Sequence, residues 1–129
     1  MVAPAFAAEI VRDPQPAFLA MLRLAALECR IAPRAGAPAE EAVRVAALDD
    51  MMTMLARTLP SLMLRRPVLW RPGATGRSFD EDWLLALLRA MQSGDRASER
   101  FLLARRARPE GGAVLRMLVG DVADRLRAD

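Results

Sequence analysis

The chain contains no histidine, lysine, tyrosine or asparagine, and it has a single cysteine, Cys29. Each absence removes a class of chemistry. Without histidine, no serine, threonine or cysteine has the usual base to activate it as a nucleophile. One cysteine and no histidine cannot assemble a zinc site. A lone cysteine closes no disulfide within the chain, which excludes a disulfide scaffold and favours a reducing cytoplasm. Aromatic residues make up only 5%, so the core must be built from Leu, Ala, Met and Val. No uncharged apolar run approaches the roughly 18 residues needed to cross a bilayer; the stretch at 14–22 is interrupted by Arg23. The first eight residues are apolar but short and lack a basic lead-in, so no secretory signal is expected.

What is present favours helix. Ala and Leu together supply 44 of the 129 residues. They are strong helix formers, and β-branched residues are scarce. Hydrophobic residues reach 53%, too many for a disordered chain. A chain of this length can bury about two-thirds of its surface. The expectation is an all-α fold, an irregular bundle of about five helices in one domain over 1–129, with a loose arm at 1–12.

Helix boundaries follow from caps and prolines. Asp13-Pro14 offers an N-cap with proline at the first helical position. The run 17–31 that follows is apolar nearly all round, with only Arg23, Glu28 and Arg30 charged, which predicts the central, most buried helix. Residues 32–37 read as a linker. Pro38 opens a second helix, expected to stop at Leu59 before Pro60, with a heptad-spaced seam of Val45, Leu48, Met52, Leu55, Leu59 and Leu62. Ser78 and Glu81 form a capping-box pattern for a third helix, 80–92. Ser93-Gly94-Asp95 is a turn into a fourth, 96–108, with Phe101, Leu102 and Ala104 or Ala107 facing inward. Pro109 to Gly112 breaks it, and 113–127 forms the last, with Leu115, Leu118, Val119, Val122 and Leu126 on one face.

Residues 60–77 are the long irregular stretch of the chain. Arg66 and Arg71 each precede proline, which forces extended backbone. Long loops in compact domains are usually functional or mobile. Trp70 lies between the two prolines, either pinning the loop to the helices or anchoring a partner, with pinning favoured.

All 19 basic residues are arginine against 16 acids, a net charge of +3. Two segments exceed that average. Residues 65–77 carry Arg65, Arg66, Arg71 and Arg77 with no acid. Residues 96–108 carry Arg96, Arg100, Arg105, Arg106 and Arg108 against Glu99. Each is +4, and guanidinium forks suit carboxylate and phosphate equally. A solvated basic face is the simpler account of both. The turn at Gly94 has helix–turn–helix spacing, but Ser93, Asp95 and Arg100 stand where that motif expects apolar residues.

The remaining constellations are weak. Asp80, Glu81 and Asp82 could hold a hard cation, but helix capping accounts for them, and like Asp49 and Asp50 they look solvent-facing. Gly73 to Gly76, between Arg71 and Arg77, has the outline of an anion cradle without a phosphate-loop ending; a flexible turn is the simpler reading. Cys29 is expected on a buried helix face as a small hydrophobe. Met51, Met52 and Met54 cannot share one narrow seam, so the second helix has a wide apolar face that can extend into an interface.

The sequence therefore points to a non-enzymatic helical protein without cofactor or metal. It acts by binding another protein or a second copy as a homodimer, through Arg65, Arg66, Trp70, Arg71, Arg77, Arg105, Arg106, Met51 and Met54. No membrane role is expected. The alternative is a nucleic-acid-binding regulator that sets the arginines of 65–77 and 96–108 against phosphate. A small-molecule sensor would require a pocket.

Overall fold

Five helices follow one another in the computed structural model, which describes residues 15–31 and 47–128: α1 (Gln15–Ile31), α2 (Ala47–Leu62), α3 (Phe79–Ser93), α4 (Arg96–Arg106) and α5 (Gly112–Ala128). The fold is an all-α bundle, as the composition predicts. Among the described residues the nearest approach to β structure is a single antiparallel bridge, Met63 to Ala107. The arm at 1–12, the linker at 32–37 and the start of the second helix at 38–46 lie outside the described residues.

The caps act as their sequence suggests. Ser78 sits in extended backbone (φ −74°, ψ 166°). Its hydroxyl accepts from the Glu81 N–H, and the Glu81 carboxylate accepts from the Ser78 N–H, so the capping box is complete. Gly94 ends α3 in the left-handed region at φ 73°, which glycine adopts without steric cost. Asp95 then caps α4, accepting from the Ser98 N–H at 3.1 Å and the Ser98 hydroxyl at 2.7 Å.

The apolar seam of α2 is realised from Leu48 onward, Val45 lying outside the described residues. Met52, Leu55 and Leu59 are fully buried, with Leu48 and Leu62 packed against the same core. However, α2 does not stop at Leu59. Pro60 is inside the helix, which runs on to Leu62. Proline offers no N–H to the Ala56 carbonyl, but with Leu59 and Met63 both fully buried, core packing holds the chain on its helical path. The irregular segment therefore begins at 63 rather than 60. It is tied down at once: the Leu64 N–H donates to the Arg106 carbonyl and the Arg108 N–H to the Leu62 carbonyl, both at 2.8 Å.

The core joins all but α4's own face. Phe18 and Leu22 of α1, Leu84, Leu87 and Leu88 of α3, and Leu115 and Val119 of α5 are fully buried with the α2 seam. Helix α3, not α1, is the most buried element. Eight of its residues are buried, and it packs against α1, α4 and α5. Leu24 of α1 is exposed, so an apolar sequence does not make that helix central. At its start, the Gln15 amide donates to the Leu85 carbonyl and accepts from Arg89, which fastens α1 to α3.

Helix α4 departs most from expectation. Phe101 is 61% exposed and Ala104 is exposed; of the two alanines it is Ala107, the C-cap, that is buried in the core, and the one buried residue within the helix is Glu99. Glu99 is held by Arg116 of α5. The helix is too polar to present an apolar stripe, so it attaches through half-buried Leu102 and Leu103 and through the Trp83 indole N–H, which donates to the Leu102 carbonyl at 3.1 Å.

Candidate functional site: an arginine-rimmed groove

Three consecutive carboxylates open α3, and each meets a different arginine. Asp80 pairs with Arg106 of α4, Glu81 with Arg23 of α1, and Asp82 with Arg77 of the preceding segment. This corrects the expectation that Asp80 and Glu81 face solvent: both are buried, Glu81 completely. Acids at a helix start suit its dipole, but burial of a carboxylate requires a charge partner and hydrogen bonds as well. Among the described residues no group of three or more acidic, cysteine or histidine side chains is arranged to hold a metal ion.

Glu81 is the anchor. Its Oε2 accepts from Arg23 Nε and from the Trp70 N–H, and its Oε1 accepts from Arg23 Nη2 and the Ser78 N–H, at 2.8 to 2.9 Å. Burial alone would raise its carboxyl pKa. The hydrogen bonds from Arg23, Ser78 and Trp70 outweigh burial and hold it below the ordinary glutamate value. The hydrogen bond to Glu81 in turn raises the Arg23 pKa against its own burial.

Arg23 also reaches into the segment 63–78. Its Nη1 donates to the Ala74 carbonyl at 3.0 Å and its Nη2 to the Gly76 carbonyl at 2.8 Å. The glycine-flanked loop is thus a cradle for a guanidinium, with carbonyls turned inward, rather than a nest for an anion. Farther back, Val68 gives its N–H to Asp80 and its carbonyl accepts from the Ser78 hydroxyl. Residues 66–71, bounded by Pro67 and Pro72 and outside any helix, form a strap lashed across the head of α3.

The strap positions a groove. Leu64, Arg65, Arg66, Val68, Phe79 and Arg105 line it, with Asp80 and Arg106, and it encloses about 480 Å³. Phe79, the first residue of α3, is 74% exposed; Leu64 is 52% and Val68 56% exposed. Arg106 lies over the Phe79 ring at 5.0 Å, and Arg105 over Phe101 at 5.6 Å. Arg106 is occupied by Asp80. Arg65, Arg66 and Arg105 form no ion pair among the described residues.

The two basic segments of the sequence therefore meet on one surface. Of the residues singled out in the sequence, Arg65, Arg66, Arg105 and Arg106 line this groove. Trp70 lies beside it in the strap, with its ring against Gly76. Arg71 lines a different, shallow depression with Leu27 and Pro72. Arg77 is paired with Asp82 in solvent. Met54 is exposed on α2, whereas Met51 packs against the core. Cys29 is half-buried, lining a small cleft between α1, α2 and the strap with Arg57 and Arg66.

Sequence reasoning missed the role of Arg23, its pairing with Glu81, and the exposure of Phe79. A signal for the first existed: one arginine within an otherwise apolar helical run calls for a buried anionic partner. Phe79 gave no such signal, because only the direction of the capping turn decides that it points outward. No family model matches this chain, and no curated protein and no solved structure matches it.

Proposed function

We propose that this is a non-enzymatic helical protein that works by binding another protein through the groove between the strap and α4. The observation that carries this reading is the groove's composition. Three of the nine large hydrophobic side chains that are exposed among the described residues, Leu64, Val68 and Phe79, line one cleft. Apolar side chains concentrated within a polar rim mark binding surfaces, whereas scattered single ones do not. The strap's hydrogen bonds to Asp80, Glu81 and Ser78 fix the cleft in advance, which lowers the entropy lost on binding. The single cysteine suits a reducing cytoplasm.

The test compares two baits, wild type and Phe79→Asp. The side chain of Phe79 is solvent-exposed, so the change leaves the core intact. A partner retained by wild type and lost by the variant supports the reading. Equal retention by both overturns it. If the partner is a second copy, sedimentation shows a dimer that Phe79→Asp dissociates.

The convergence of Arg65, Arg66 and Arg105 also favours a second reading, binding of nucleic acid by phosphate contacts. Titration with duplex DNA and single-stranded RNA at low and near-physiological salt tests it. A steep salt slope that flattens in Arg65→Glu/Arg105→Glu supports phosphate binding, and an absence of binding at low salt overturns it.

A further inference from the structure

We infer that the groove takes an acidic peptide segment of a partner, one that places an aliphatic or aromatic side chain between carboxylates. This rests on the protein-binding reading above and adds the chemistry of the partner. The groove has an apolar floor of Leu64, Val68 and Phe79 and a rim of Arg65, Arg66 and Arg105. Asp80, the acid in its lining, is satisfied by Arg106 and the Val68 N–H. The remaining charge is therefore three guanidinium groups without a counter-ion among the described residues. Carboxylates match a guanidinium fork in geometry and charge.

The fold uses the same chemistry internally. Carboxylates at 80, 81 and 82 are each captured by an arginine from a different part of the chain. Beside its own Asp80–Arg106 pair, the groove presents three more arginines with no acid paired to them among the described residues. Its volume of about 480 Å³ falls in the lower half of the range of ligand clefts, roughly 300–1,000 Å³. That suits one or two inserted side chains.

A nucleic-acid strand fits this surface less well. Strand binding relies on a track of cations with open aromatic faces for successive bases. Here Arg106 covers one face of Phe79 and Arg105 one face of Phe101. The free cations share their cleft with the aliphatic side chains of Leu64 and Val68, which offer a base no aromatic face.

The test is selection of a phage-displayed library of random linear peptides against the wild-type chain, with counter-selection against Phe79→Asp. The expected survivors carry Asp or Glu on both sides of a Leu, Ile, Phe or Trp. Measured by fluorescence anisotropy, the enriched peptide should weaken about tenfold or more in Arg65→Glu/Arg66→Glu and in Arg105→Glu. It should also weaken when its acids are changed to the corresponding amides. These arginines are exposed, so an unchanged melting curve separates lost binding from lost folding. Survivors without acidic residues that still depend on Phe79 would overturn the acidic-segment inference while leaving the protein-binding reading standing. No enrichment, or an oligo-uridine probe bound in preference to every peptide, would overturn it as well. Equal retention of partners by the wild-type and Phe79→Asp baits removes the underlying reading separately.

Discussion

The Arg23 guanidinium grips the Glu81 carboxylate with two hydrogen bonds of 2.8 Å, across 58 residues of sequence, and both side chains are almost wholly removed from solvent. The pair does more than join α1 to α3. Arg23 gives two further N–H groups to the Ala74 and Gly76 carbonyls, and Glu81 uses its remaining lone pairs on Ser78 and Trp70. Every strong donor and acceptor at this centre is matched, which is the condition for a buried ion pair to be tolerated.

Removing one partner leaves the other charge buried. Arg23→Met and Glu81→Leu should each cost about 3–5 kcal/mol in urea denaturation. The double variant should be less damaged than the sum of the two. Because the loop at 74–76 loses its hydrogen bonds to Arg23, brief trypsin treatment of Arg23→Met under native conditions should cleave faster after Arg77. Additive losses with unchanged proteolysis would mean that the pair neither couples nor holds this loop.

The pair also sets a pH dependence. The folded-state pKa of Glu81 lies below its ordinary value, and the unfolded value is about 4.3. The unfolded chain therefore binds the proton more readily. The contribution of Glu81 is fully present above about pH 5 and is lost as pH falls through the folded-state pKa. The melting temperature should fall steeply on acidification below about pH 4. The gap between wild type and Glu81→Gln should narrow over the same range, and a constant gap would contradict the assignment.

Two adjacent glycines should respond in opposite ways. A Cβ on Gly111 would stand 2.7 Å from the Leu62 carbonyl oxygen, part of a backbone held by the Arg108 hydrogen bond. Gly111→Ala should cost about 1–3 kcal/mol. A Cβ on Gly112 meets nothing within 4 Å, so Gly112→Ala should be neutral or stabilising by up to about 1 kcal/mol. Thermal melts of the two variants check this directly, and equal effects would refute the close contact.

Apolar residues on α3 and α4 differ in the same way. Phe101 stands in solvent beneath Arg105, so Phe101→Ala should cost no more than about 1 kcal/mol. Leu87 is completely buried, and Leu87→Ala should cost about 2–5 kcal/mol. A large loss from Phe101→Ala would place it in the core after all.

Local signals proved legible and long-range ones did not. Ser78 with Glu81, Gly94, and the spacing of Met52, Leu55 and Leu59 each carry their structural meaning within a few residues, and each appears as read. Pro60 misled because buried neighbours on both sides, Leu59 and Met63, override a local preference. Phe101 misled because hydrophobicity was taken as inward direction in a helix too polar to have a buried stripe. The arginines of the groove were visible as two clusters in the sequence, but their meeting depends on the Met63–Ala107 bridge, which no local pattern encodes. Glu81 was legible as a cap and illegible as the partner of Arg23, since that role exists only once α1 has docked.

The latch between Arg23 and Glu81 gives the groove a dependence on the whole fold. Its lining comes from residues 64–68, the head of α3 and the end of α4, and the loop that follows the strap is held by Arg23 of α1. If α1 detaches, even briefly, the loop after the strap loses the Arg23 hydrogen bonds at Ala74 and Gly76, and Glu81, which holds the Trp70 N–H, loses its buried counter-ion. By thermodynamic linkage, whatever occupies the cleft must then oppose that detachment. Slowed hydrogen exchange at the Trp70 and Ser78 amides, and along α1 where nothing touches the ligand, would be the trace of an occupied groove.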